Sequence, residues 1–152
     1  MFSWKGMIRI RAVYQDGTEE VHEFPNMITT AGRNLLRDAL IVDNLDTLIR
    51  YVALGAGTRP PSPDDTKLED ERFRKQVTKR LATADGEGKT IVYLAPFEAT
   101  DFEINEIGWF AGADATEKKD SGILVARVLY KKQKSNLESL HIERTDTITA
   151  EG

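Results

Sequence analysis

The run Met7-Ile8-Arg9-Ile10-Arg11-Ala12-Val13-Tyr14, then Gln15-Asp16-Gly17-Thr18, then Glu20-Val21-His22-Glu23-Phe24, reads as two strands joined by a tight turn. Apolar and polar residues largely alternate in the first run, which is the period of a strand with one buried face, and Asp-Gly is a turn signal. The chain is therefore predicted to open with a β-hairpin.

Beyond the hairpin, Pro25 and Asn26 punctuate the chain, and Thr29 or Thr30 can cap a helix from about Ala31 to Ile41 with Leu35, Leu36, Ala39 and Leu40 at helical spacing. This is the only substantial helix predicted. From Thr47 onward the pattern returns to strands: Leu48 to Leu54, Gly88 to Phe97, Phe102 to Phe110, Gly122 to Tyr130 and Leu137 to Ala150. Short strands separated by Gly-, Asp- and Pro-bearing connections predict a mainly β fold, an antiparallel β-sandwich with one α-helix, formed as a single domain over residues 1–152. Between these strands, Thr66-Lys67-Leu68-Glu69 has capping-box spacing and fits a short helical turn, while Phe73 to Leu81 fits an edge strand. The alternating Thr145-Asp146-Thr147-Ile148-Thr149-Ala150 either completes the domain's own sheet or pairs with a neighbouring subunit.

Composition narrows the function classes. The 152 residues include 21 Lys+Arg and 25 Asp+Glu, a net charge of −4, and the pI is near 5.3. That balance disfavours nucleic acid or an anionic membrane as the partner. The basic groups Arg72, Arg74, Lys75, Lys79, Arg80 and Lys131, Lys132, Lys134 read as solvated edge charges. With no cysteine there is neither a disulfide nor a thiolate metal site. The first eleven residues have charges interrupting the apolar ones, so they fit neither a secretory signal nor a membrane span, and the chain is expected to be made in a cytoplasm.

Motifs for chemistry fail on context. Gly86-Glu87-Gly88-Lys89-Thr90 resembles the end of a phosphate-binding loop, but Thr83 occupies the first glycine's place and an apolar strand follows, so a hairpin turn is expected. His22 and His141, the only histidines, lie in separate strand-like segments without metal-ligand spacing. Asp64, Asp65, Glu69, Asp70 and Glu71 lack the glycine-bearing pattern of a calcium loop and read as a solvated acidic surface. No catalytic, cofactor-binding or metal residue is assigned, and no enzyme activity is expected.

Two features remain. Tyr51-Val52-Ala53-Leu54-Gly55-Ala56-Gly57-Thr58 is an apolar strand running into a glycine turn, and Pro60, Pro61 and Pro63 stiffen the connection behind it. Gly55 and Gly57 are expected to supply positive φ there. In Phe102-Glu103-Ile104-Asn105-Glu106-Ile107-Gly108-Trp109-Phe110, broken alternation places a bulge or a close approach of another backbone at Gly108. Glu106 is either a carboxylate held for chemistry or a buried acid paired with a neighbour such as Arg127. Trp109 belongs either to the core or to an interface.

Taken in order, four segments carry a resemblance. Asn26-Met27-Ile28-Thr29-Thr30-Ala31-Gly32-Arg33-Asn34-Leu35-Leu36, Tyr51 to Thr58, Phe102 to Phe110, and Gly122-Ile123-Leu124-Val125-Ala126-Arg127 resemble successive motifs of small bacteriophage tail-associated proteins and of the N-terminal regions of tail fibre proteins. The resemblance covers roughly residues 24 to 130 and rests on the order of short structural patterns. It implies a virion structural protein of the tail tip, baseplate or fibre attachment, made in the host cytoplasm. Such a protein works by self-association, as a trimer or ring, and by docking onto other phage structural proteins, with no cofactor. Leu54, Gly55, Gly57, Pro60, Pro61 and Trp109 are the interface candidates. A carbohydrate or host-surface binding module, with Trp4, Tyr51, Trp109 and Tyr130 as stacking groups, is the alternative, and capsid decoration is a further structural role.

Overall fold

The computed structural model describes residues 2–150. Met1, where the stretch read as neither signal nor membrane span begins, and residues 151 and 152 lie outside the described residues. In chain order the elements are β1 (Phe2–Tyr14), β2 (Glu19–Asn26), α1 (Thr30–Ile41), β3 (Ile49–Gly55), β4 (Glu71–Gln76), β5 (Lys79–Ala84), β6 (Glu87–Leu94), β7 (Ile104–Ala111), β8 (Ile123–Lys132) and β9 (Glu138–Ala150). The class is mainly β, with two antiparallel sheets and one helix, the make-up expected of a β-sandwich. The elements gather into two compact units.

The first unit takes the residues up to Asn26, Val77–Thr100, and those from Ser135 onward. Its sheet runs β2-β1-β9-β6-β5. The opening hairpin forms as the alternation predicts, with Gly17 at φ 87° and Asp16 Oδ1 accepting from the Thr18 N–H at 2.9 Å. Ile8, Ile10 and Ala12 are buried on one face of β1, as are Val92 and Leu94 in β6 and Leu140 and Ile142 in β9. The C-terminal alternative is decided by register: Thr145 pairs with Met7 and Ala150 with Phe2, while Thr147 also pairs with Glu87. That segment completes its own sheet. The Gly-Lys-Thr segment enters a β5–β6 hairpin, with Gly86 at φ 68° in the turn.

The second unit takes Met27–Gln76 and Asp101–Lys134, with sheet order β4-β3-β7-β8 and the helix. Its core joins Ala53, Leu68, Phe110, Ala115 and Leu124, with Tyr51 packed against them. The helix begins as expected: Thr29 is the N-cap and its Oγ1 accepts from the Gly32 N–H at 2.9 Å. The same hydroxyl is shared between the Leu124 and Val125 carbonyls of β8, and Val125 O accepts from the Thr29 N–H at 2.9 Å. A Cβ on Gly32 would lie 2.9 Å from the Val125 carbonyl oxygen, so the helix start sits against β8 with no room for a side chain.

Thr66 to Leu81 holds no helix: an irregular connection up to Asp70 leads into strands Glu71–Gln76 and Lys79–Ala84. Glu69 does not close a capping box, because its Oε1 accepts from the Thr58 and Arg59 N–H groups at 2.8 and 3.1 Å. The single edge strand expected over Phe73 to Leu81 is two strands. β4 edges the four-stranded sheet and β5 edges the five-stranded sheet.

Candidate functional site

The structured feature that stands out from the sheets is the connection from Ala56 to Asp70, between β3 and β4. A loop of this length needs partners for its backbone N–H groups. Buried side chains supply many of them. Glu106, on β7 and 0% exposed, accepts the Gly57 N–H at 2.7 Å and the Asp70 N–H at 2.8 Å on Oε2. Its Oε1 accepts the Glu69 N–H and Arg127 Nε, both at 2.8 Å. An ionised carboxylate has about four lone-pair sites. All are engaged, so this carboxylate is committed to holding the loop and Arg127. The pairing with Arg127 is the structural one of the two readings of Glu106.

Arg127, on β8 and 1% exposed, spreads its donors across the same loop. Besides Glu106, its guanidinium donates to the Arg59 carbonyl at 2.8 Å and lies 3.4 Å from Asp65 Oδ2. Asp65 Oδ2 accepts the Ser62 N–H at 2.9 Å, and Oδ1 accepts from Arg59 at 2.8 Å. Burial pushes the Asp65 carboxyl upward, but the Ser62 N–H, the Arg59 bond and the Arg59 and Arg127 charges outweigh it and hold it below the usual carboxylate range. The Asp65 bond in turn raises the Arg59 guanidinium. Two further ties complete the brace: Thr30 N–H, at the helix start, donates to Pro63 O at 2.8 Å, and Asn105 Nδ2 donates to Ala56 O at 3.1 Å.

Gly55 and Gly57 serve this arrangement through space, not through φ. Neither has the positive φ expected of it, since the described glycines with positive φ are Gly17, Gly86, Gly112 and Gly122. A Cβ on Gly55 would press on the Asp70 carbonyl oxygen and come within 2.6 Å of Glu106 Oε2. One on Gly57 would press on that same carboxylate oxygen and on Glu69 Cβ. The chain can reach the buried carboxylate only where side chains are missing. Gly108 likewise marks a close approach, but to side chains: a Cβ there would lie 2.6 Å from Leu68 Cδ2.

A second buried pair follows the loop. Glu71 and Arg74 meet at 2.8 Å with side chains 2% and 4% exposed, and Arg74 also donates to the Thr116 and Ser121 carbonyls at 2.9 and 3.0 Å. Its guanidinium lies over the Phe110 ring, 4.5 Å from the centroid. Three residues apart on a regular strand, these side chains would face opposite ways. In the β3–β4 ladder Leu54 pairs with Phe73 and Gly55 with Glu71, so Arg72 is an extra residue and the bulge turns Glu71 and Arg74 to one face. Arg74, Asp65 and Glu71 are thus buried, against the expectation of solvated basic and acidic surfaces. Each is compensated by a partner of opposite charge.

Of the interface candidates, Leu54, Gly55, Gly57 and Trp109 are buried in the second unit and present no surface. Pro60 is exposed and Pro61 half-buried on the braced loop. The aromatic groups do not gather. Trp4, in the first unit, donates from Nε1 to Asp146 at 2.9 Å. Tyr51 packs on the second unit's core, and Tyr130 lines a pocket of ≈ 190 Å³ with Thr58, Asn105, Leu129 and Lys131. That volume is below the usual range for small-molecule sites. His22 lies 3.6 Å from Glu20, and the His141 ring packs against Tyr93 at a tilt of 59° with the centroids 5.0 Å apart. Burial, with the Arg11 charge, lowers the His141 pKa below its ordinary value. Among the described residues no group of three or more His, Asp or Glu side chains is placed to hold a metal ion, and no helix is long and apolar enough to cross a membrane.

Sequence reasoning found Glu106, Arg127 and the two glycines but missed Arg59, Asp65 and Glu69 as their partners. No protein-family model matches this chain, and neither a curated protein nor a solved structure matches it.

Proposed function

We propose that this chain is a bacteriophage virion structural protein, a component of the tail, baseplate or fibre attachment that acts by self-assembly and by docking onto other phage structural proteins. The observation that carries the reading is where the phage-like motifs fall. In the segments from Asn26 to Leu36, Tyr51 to Thr58, Phe102 to Phe110 and Gly122 to Arg127, every residue except Asn26 lies in the second unit. Their distinctive residues Thr29, Gly32, Gly55, Gly57, Glu106, Gly108 and Arg127 are the ones that seat the helix on β8 and brace the loop. A motif set with this distribution encodes a rigid scaffold presenting a loop, the requirement of a docking part. The saturated Glu106 carboxylate supports the same reading over an enzymatic one.

A carbohydrate or host-surface binding module has less support, because Trp109 is buried and Trp4 is tied to Asp146. Immunogold labelling of particles made by the phage that encodes the chain tests the proposal. Label at the tail tip, baseplate or fibre base is expected. Label on the shell would move the role to capsid decoration, and unlabelled particles would overturn it. Light scattering over a concentration range tests the assembly component, for which a persistent monomer is the adverse result.

A further inference from the structure

The helix α1 is apolar on two sides. Gly32 and Leu35 are buried on one, where the helix start meets Val125 of β8. On the other, Arg33, Leu36, Arg37, Leu40 and Ile41 are exposed, at the i, i+3, i+4, i+7, i+8 spacing of a single helical face. Leu40 is 83% exposed and Ile41 73%. Past the helix, Val42, Leu45 and Leu48 are exposed as well, around a turn in which Asn44 takes the left-handed conformation at φ 56°. Monomers seldom expose an apolar patch beyond about 300–600 Å², and six such side chains on each of two copies offer on the order of 1,000 Å², where specific interfaces begin.

Charge along this face selects the occupant. Arg33 and Arg37 lie toward its N-terminal end, and Asp43 is exposed just beyond its C-terminal end. Laid parallel on another copy, the face would set Arg33 against Arg33. Laid antiparallel about a two-fold axis near Asp38, it sets Arg33 opposite Asp43 and Leu36 opposite Leu40, twice over. Arg37, near that axis, is already neutralised by Asp38 at 2.9 Å. The helix dipoles also run favourably in that arrangement.

We propose that the exposed face of α1 is a self-complementary docking surface for a second copy of this chain, paired antiparallel through Leu36, Leu40 and Ile41 and registered by Arg33 and Asp43. This contact stands on the helix face alone and is independent of the virion reading. It makes a closed two-fold pair the first step of assembly, in place of a trimer formed by parallel helices.

The absence of cysteine makes the test direct. Arg37→Cys, near the axis, is expected to form a disulfide-linked dimer under mild oxidation at micromolar protein, and Asp85→Cys, in the exposed β5–β6 turn, is expected to stay largely monomeric. By light scattering, Leu40→Asp should raise the dimer dissociation constant about a hundredfold or more with unchanged circular dichroism. Arg33→Asp and Asp43→Arg should each weaken the dimer severalfold, and mixing the two should restore it, because the mixed pair regains both opposite-charge contacts. A monomer at all concentrations overturns the proposal. So does an oligomer that Leu40→Asp leaves intact, a result that would leave self-assembly standing on another surface.

Discussion

In the five-stranded unit β1 pairs with β9 from Phe2↔Ala150 to Tyr14↔Glu138 with no break in register, and ion pairs such as Arg9–Glu23 and Arg11–Glu19 lie on its solvated side. In the four-stranded unit all three ladders carry a register shift, and the pairs Glu106–Arg127 and Glu71–Arg74 lie inside. The first unit is held chiefly by its long unbroken ladders, with one register shift at the β5–β6 edge; its one inward arginine, Arg144, is met by Asp146 of its own strand at 2.7 Å. The second breaks regularity in order to hold a loop, and uses buried charge to satisfy what the breaks expose. Buried charge is costly to place and more costly to leave half-paired. The two units should therefore differ sharply in how they answer the loss of a single charged group.

The largest effect should come from Glu106→Ala. It strands Arg127 in the interior and removes the acceptor for the Gly57, Glu69 and Asp70 N–H groups, so a loss of about 3–5 kcal/mol is expected, the scale for breaking a buried ion pair. Denaturant unfolding gives the loss, and amide exchange should locate it at residues 57, 69 and 70. Glu106→Gln keeps the shape and part of the hydrogen bonding, and should cost less. If both variants cost under about 1 kcal/mol, the loop is not braced by this carboxylate and the contrast between the units fails.

How far the sequence discloses each unit follows from the same difference. Alternation in Met7 to Tyr14 predicts the first hairpin, and Asp16-Gly17 predicts its turn, because in a regular sheet burial follows parity. In the second unit parity is broken by bulges, so Arg74 reads as a surface charge until the extra residue at Arg72 is known. What remained legible there was compositional: Thr29 as a cap, Gly55 and Gly57 as places where a side chain is forbidden, and Glu106 with Arg127 as an acid and a base in apolar strands. The glycines were assigned the wrong reason, since positive φ and close approach leave the same mark in a sequence and only the latter applies here. Asp65 was missed because its partner Arg59 is six residues away across a proline-rich bend, a spacing with no periodic signature.

A smaller effect is expected from Gly57→Ala, which sharpens the comparison by leaving every charge in place. The new Cβ would displace the Glu106 carboxylate, and overpacking of this kind costs about 1–3 kcal/mol. Gly17→Ala in the first unit's turn meets no atom within 4 Å, so its cost is that of φ 87° alone. Thermal midpoints of the two variants should rank in that order. Exchange protection at residues 57, 69 and 70 should fall only in Gly57→Ala.

Acid should reach the second unit through Asp65. Its carboxyl is held below the ordinary 3.8 in the folded chain, so its contribution is fully present above that value and is lost as pH falls below it, through the folded-state pKa. Asp65→Asn should flatten that part of the acid limb and lower stability at neutral pH. The two tryptophans separate the units as reporters, since Trp4 belongs to one and Trp109 to the other. In Trp4→Phe, Trp109 emission should follow the Asp65 limb.

The smallest effect tests the other side of the comparison. Arg9 pairs with Glu23 at 3.1 Å and lies 3.9 Å from Glu143, with 43% of its side chain exposed. Both partners keep access to water when the guanidinium is removed, and a long side chain regains its rotamers, so Arg9→Gln should change stability by no more than about 0.5 kcal/mol. The residual effect should shrink as salt rises, because exposed charges are screened over a Debye length. Measured beside Glu106→Ala in the same buffer, this variant removes the same number of charges from a strand of the same kind. A loss at Arg9 approaching that at Glu106 would mean that the regular sheet depends on its surface charge as much as the broken one depends on its buried charge. Regularity of pairing would then not be what lets the first unit do without buried charge at β1, and the cause would have to lie in its apolar face of Ile8, Ile10 and Ile142.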